Sequence, residues 1–192
     1  MGGLPQLETA SLSMFRITSI GSSGWRDFGA GLSKSHSLQE LDWSGTMDSS
    51  RLKDFALGLS KAPCLHVLSL HVRGKDSHAI GYQGVHGLAE ALSAMGQLTR
   101  LTLSLADCES VGDESVAALA SGLAGLQHLW RLDLILRACP VGDEGAIALV
   151  DCLSGMKSMR SAVLQMKGTA IGDAGKKRLF MGCPNLAGAG AL

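Results

Sequence analysis

The sequence predicts an α/β solenoid in which about six strand–turn–helix units stack side by side, with a parallel sheet on one surface and helices on the other. Three periodic signals predict it. A leucine block recurs along the chain, a glycine-acid turn keeps step with it, and apolar residues at helical spacing follow each turn.

The blocks read, in chain order, Leu7-Glu-Thr-Ala10-Ser-Leu12, Leu38-Gln-Glu-Leu41-Asp-Trp43, Leu65-His-Val-Leu68-Ser-Leu70, Leu98-Thr-Arg-Leu101-Thr-Leu103, Leu129-Trp-Arg-Leu132-Asp-Leu134 and Met159-Arg-Ser-Ala162-Val-Leu164. Their first residues fall at 7, 38, 65, 98, 129 and 159, which are 31, 27, 33, 31 and 30 apart. Six copies at that spacing define a repeat. Within each block apolar and polar residues alternate, as in a short strand with one buried face.

The turn that follows is Val111-Gly-Asp-Glu-Ser, Val141-Gly-Asp-Glu-Gly and Ile171-Gly-Asp-Ala-Gly, with worn copies at Ile20, Met47 and Ile80. Asp113, Asp143 and Asp173 are expected to accept from the unpaired backbone N–H groups of the helix that each precedes. Glu114 and Glu144 then fall in the first helical turn, where the dipole favours them. Because the acids are copied in every repeat, they read as turn structure rather than as a calcium or catalytic site. Beyond the turns, Val85, Leu88, Ala89 and Leu92, Val116, Leu119, Ala120 and Leu123, and Ala146, Leu149, Val150 and Leu153 mark buried helix faces.

These residues resemble the leucine-rich repeat family in its ribonuclease-inhibitor-like class, which carries a strand and a full helix per repeat. The likeness runs from about residue 4 to about residue 187, and the Ile/Val-Gly-Asp-Glu-Gly turn is similar to the arrays of NOD-like receptors and Ran GTPase-activating proteins. The family's Asn or Cys after the strand is matched by Cys108 and Cys139, while Thr46 and Thr169 replace it elsewhere. The resemblance implies one domain over residues 1–192, a curved horseshoe segment with the sheet concave and the helices convex. Geometry leads to the same expectation. Strands stack about 4.8 Å apart and helices about 10 Å apart, so a stack in register must bend towards its sheet.

Composition narrows the function. Lys+Arg and Asp+Glu each number 17, a formal net charge of +0, which argues against a nucleic-acid binder that relies on global charge. No apolar run is long enough to span a membrane, and the N-terminus has no basic segment leading into an apolar one. The five cysteines are scattered with no CxxC pair, which fits a reducing compartment, cytoplasmic or nuclear, and no metal. Cys108 and Cys139 should lie close as packed thiols, and Cys183 should replace Leu153 in the last helix core. The histidines near the third strand include His66 and His71, an odd number of residues apart and therefore on opposite faces, which argues against zinc. No GxSxG, HExxH or intact phosphate loop is present, so catalysis and a cofactor are not expected.

Attention falls on the sheet's open face. In register its rows should read Thr9, Glu40, Val67, Arg100, Arg131, Ser161; then Ser11, Asp42, Ser69, Thr102, Asp133, Val163; then Ser13, Ser44, His71, Ser104, Ile135, Gln165; and finally Phe15, Thr46, Arg73, Ala106, Arg137, Lys167. Arg73, Arg100, Arg131, Arg137 and Lys167, with His71 and Asp133 among them, predict a basic tilt towards the C-terminal half and an acidic protein partner. The longer turn at 73–79 is a further candidate recognition element. Neither end shows a polar cap, so the ends are expected to meet further repeats or to be covered by self-association. The expected function is a non-catalytic protein-interaction scaffold. The alternative is a regulator of a small GTPase resembling Ran GTPase-activating protein, although no residue of that mechanism can be placed on this chain.

Overall fold

The computed structural model describes residues 7–15, 19–73 and 80–182. Strands and helices alternate along them: β1 (Thr9–Met14), α1 (Ser22–Ser33), β2 (Glu40–Thr46), α2 (Ser49–Leu59), β3 (Val67–Arg73), α3 (Tyr82–Ser93), β4 (Arg100–Ser104), α4 (Asp113–Leu123), β5 (Arg131–Ile135), α5 (Asp143–Gly155), β6 (Ser161–Gln165) and α6 (Asp173–Gly182). The strands form one parallel sheet in chain order. Its register follows the leucine blocks, with Thr9, Glu40, Val67, Arg100, Arg131 and Ser161 in one row. The expected segment 74–79 and Cys183 lie outside the described residues.

Alternation in the strands sorts the residues as the pleat requires. Leu41, Leu68, Leu101 and Leu132 are at most 1% exposed, while Glu40, Arg100 and Arg131 beside them are exposed on the other face. The predicted helix positions, from Val85 to Leu153, are all buried, and all but Ala89 lie in the same core cluster. Each helix packs on its sequence neighbours, so the core is a continuous wall between sheet and helices. The wall changes character at its N-terminal end, where Trp25, Phe28, Trp43 and Phe55 stand in place of the aliphatic residues of later repeats. Trp25 meets Trp43 at 5.8 Å and Phe55 at 5.9 Å, edge to face.

The repeated aspartates do something other than expected. Asp113 and Asp143 are the first residues of their helices rather than the residues before them, and Gly112 and Gly142 cap those helices without a side-chain bond. Instead Asp113 Oδ1 accepts from the backbone N–H groups of Gly142 (2.6 Å) and Gly145 (3.1 Å), in the next repeat. Asp143 Oδ1 accepts likewise from Gly172 (2.7 Å) and Gly175 (3.0 Å). Ser49 serves the same position, accepting from Gly81 N–H at 2.9 Å. Each carboxylate therefore caps its neighbour's helix, because stacking sets one turn beside the next. Asp48, by contrast, is a local cap, accepting from Arg51 N–H at 2.8 Å.

Asp143→Ala should remove the one oxygen that accepts both bonds and leave two N–H donors at the start of α6 without a protein partner. The expected loss is about 1–3 kcal/mol, from charge-assisted bonds at a partly buried turn. Asp143→Asn keeps the oxygen and should lose much less. Urea unfolding of both variants checks the ordering, and equal losses would put the effect on charge rather than on the acceptor.

Candidate functional site

The strand ends aim side chains at the open face, and a left-handed turn then reverses the chain. That turn is Asp107 (φ 61°), Ala138 (φ 56°) and Gly168 (φ 77°) in successive repeats. Only glycine takes this conformation without cost, so Ala138 carries local strain. The residue before each turn, Ala106, Arg137 or Lys167, is thereby left at the rim of the sheet. Backbone bonds continue the ladder to that rim, from Asp107 N–H to Arg137 O and from Ala138 N–H to Lys167 O, both at 2.9 Å.

The residues singled out in the sequence lie on this face but fall into two groups. Arg100 and Arg131 are held by acids of the face itself. Arg131 Nε donates to Asp133 Oδ2 at 3.0 Å and its Nη2 to Oδ1 at 3.4 Å. Arg100 Nη2 reaches across Val67 to Glu40 Oε1 at 3.4 Å. Asp133 is thus the internal partner of Arg131. At the rim, by contrast, Arg73, Arg137 and Lys167 make no ion pair among the described residues. Among the singled-out cations, those of the inner rows are thus paired with face acids, and those without an ion pair among the described residues lie at the rim.

Arg73 and Arg137 line one depression of about 350 Å³, together with His71, Ser44, Ser104 and Phe15. Ala106, Asp107, Ile135 and Gln165 complete its wall. The Arg73 guanidinium sits over the Phe15 ring, 5.8 Å from its centre, and Phe15 is 48% exposed. This stacking orients the cation without neutralising it. Sequence rows place Phe15 and Arg73 in one line, but two strands apart, and only the folded face shows that they touch. Trp130 lies immediately before β5, 38% exposed, and its carbonyl accepts from the N–H groups of Arg160 (2.9 Å) and Ser161 (3.0 Å).

Elsewhere the titratable groups read as structure. Cys108 and Cys139 are buried free thiols, and Cys139 Sγ donates to Leu105 O at 3.0 Å. Burial pushes the Cys139 thiol up, and pushes Cys152 up to about 11, so both stay protonated near neutrality. Among the described residues no His, Cys, Asp and Glu cluster could hold a metal, and no helix is long and apolar enough to cross a membrane.

Comparison with known proteins agrees with the repeat geometry. Residues 101–120 and 127–150 match the family model described as Leucine Rich repeat. No curated protein matches the chain. Those matched residues span most of β4 and α4, all of β5 and the first part of α5, in two consecutive units of the stack. The chain is an α/β repeat protein, with six parallel strands alternating with six helices among the described residues, and it carries leucine-rich repeats of the ribonuclease-inhibitor-like type at residues 101–150.

Proposed function

We propose that this protein is a non-catalytic interaction scaffold that binds an acidic segment of a partner protein on the open face of its sheet. The observation that carries the reading is the pair of guanidinium groups, Arg73 and Arg137, both without an ion pair among the described residues and both lining one depression. Leucine-rich repeats generally mediate protein binding, which supports the class of partner. The neighbouring hydroxyls of Ser44 and Ser104 add donors that suit a carboxylate. Four rows of six residues are enough for a standard protein footprint of roughly 20–30 residues a side.

The test is affinity capture with two double variants. Arg73→Glu/Arg137→Glu should weaken capture of an acidic partner at least about tenfold, since reversing charges at a paired contact costs several kcal/mol. Arg100→Glu/Arg131→Glu, which alters cations already held by Glu40 and Asp133, should weaken it less. Both must retain the wild-type circular dichroism spectrum. Equal capture by wild type and the rim variant would overturn the reading.

A further inference from the structure

We infer that two copies of this protein join head to tail, the face of β6 and α6 on one copy docking on the face of β1 and α1 on the next. The contact would repeat the one that joins neighbouring units inside the chain. Three features of the two faces fit one another, position by position.

The first is the carboxylate. Asp113 and Asp143 each bind the turn of the following repeat, yet Asp173, their equivalent in α6, is exposed and makes no hydrogen bond among the described residues. Its complement lies at the other end. Gly21 and Gly24 correspond to Gly142 and Gly145, and their N–H groups have no protein acceptor among the described residues. The first turn of α1 contains no acid, so nothing there offsets the positive end of its dipole.

The second feature is a bump and a hollow. Residues seven beyond the turn aspartates face the following helix. Ala120 and Val150 hold that place in α4 and α5, and they are 4% and 0% exposed. In α6 the place is taken by Phe180, 60% exposed. The receiving position is a close-packed glycine at three internal junctions: a Cβ on Gly58 would meet Ala30 N at 2.7 Å, one on Gly122 would meet Ala89 Cα at 2.7 Å, and one on Gly182 would strike Val150. Its equivalent in α1 is Gly31, exposed and with nothing within 4 Å of a Cβ built there. An unfilled glycine hollow at one end thus matches an unburied aromatic ring at the other.

Thirdly, the sheet edges match. Continuing the register would set Ser161 against Thr9 and Gln165 against Ser13 of the next copy, with parallel bonds like those between β5 and β6. The inward residues of β1, Ala10, Leu12 and Met14, are only half-buried, whereas their equivalents in β2, Leu41 and Trp43, are fully buried. A formal net charge of +0 puts no long-range repulsion in the way. Contacts of this kind use a different surface on each partner, so they extend or close into a ring rather than forming a two-fold dimer.

The test uses the full chain and two variants, each disabling one end. Asp173→Lys/Phe180→Ser alters the donor face. Gly21→Pro/Gly31→Glu alters the receiving face at positions with open space, and Gly21 already has a φ of −73° that suits proline. In sedimentation velocity the wild type should show a weight-average mass that rises at least twofold with concentration, and each variant alone should stay monomeric. Mixed, the two variants should form a 1:1 dimer and stop there, because one intact face remains on each. A wild type that stays monomeric up to high micromolar concentration would overturn the inference. So would association that survives in either variant, or a mixture that forms no dimer. Circular dichroism of each variant confirms that its monomer is folded.

Discussion

Gly122→Ala is expected to destabilise the protein, although alanine is the better helix former. Gly122 lies in α4 where that helix crosses closest to α3. A Cβ there would meet Ala89 Cα at 2.7 Å and its carbonyl carbon at 2.8 Å, both backbone atoms that no rotamer change can clear. Replacing a helix-interior glycine by alanine gains about 1 kcal/mol in propensity. Forcing two helix backbones apart costs roughly 3 kcal/mol at a well-packed contact, so the clash wins by about 2 kcal/mol. For a chain of this length that is a fall in Tm of roughly 4–8 °C. Gly31→Ala supplies the control, because the same chemical change in α1 meets nothing within 4 Å. There only the propensity remains, and the variant should gain about 0.5–1 kcal/mol. Thermal unfolding of the two variants should therefore show shifts of opposite sign, and shifts of the same sign would remove the close helix approach as the cause.

That pair also shows where sequence reading stops. Glycines 31 and 122 stand at equivalent places in their repeats, and no local pattern separates them; only what lies across the junction does. The leucine ladder was legible because a period of about thirty residues carries both the strand alternation and the helix face. Each open-face row read from it matches the observed register wherever strands pair. The aspartates were misread as caps of their own helices because a carboxylate beside a helix start looks local. Their reach to the next turn depends on the offset between stacked units, which the chain does not spell out. Of the face cations, Arg131 with Asp133 was readable in principle, since residues two apart on a strand share a face. Arg100 with Glu40 needs three strands laid side by side, and Phe15 with Arg73 needs the same. Charge counting alone does not separate these paired cations from the rim cations, which stand out only once internal partners are subtracted.

Trp43→Ala is expected to have the largest effect of a single substitution, and an uneven one. The indole is 0% exposed and lies 5.8 Å from Trp25 and 5.8 Å from Phe55, so its removal opens a cavity bounded by large rings that cannot collapse into it. Truncating a buried aromatic to alanine costs roughly 3–5 kcal/mol. In a stacked-repeat protein such a loss is felt by the unit and its neighbours rather than by the whole array. β1, α1 and β2 should therefore open first, while the stretch from β4 to α5, with its own continuous leucine core, stays protected. Amide hydrogen exchange should show fast exchange up to about residue 60 and little change beyond residue 100, whereas uniform acceleration along the chain would mean that the array unfolds as one unit. Trp43→Phe separates the two contributions of the indole. Its N–H, like that of Trp25, is buried with no hydrogen-bond partner among the described residues, an arrangement that costs about 1–3 kcal/mol. Phenylalanine gives up packing area but also removes that orphan donor, so the two terms oppose each other and the net loss should stay below about 1.5 kcal/mol. The alanine variant should also weaken the rim, because Phe15, which follows β1, is what the Arg73 guanidinium stacks on. Partner capture should fall with Trp43→Ala and persist with Trp43→Phe, linking the aromatic end of the core to the cationic edge of the face.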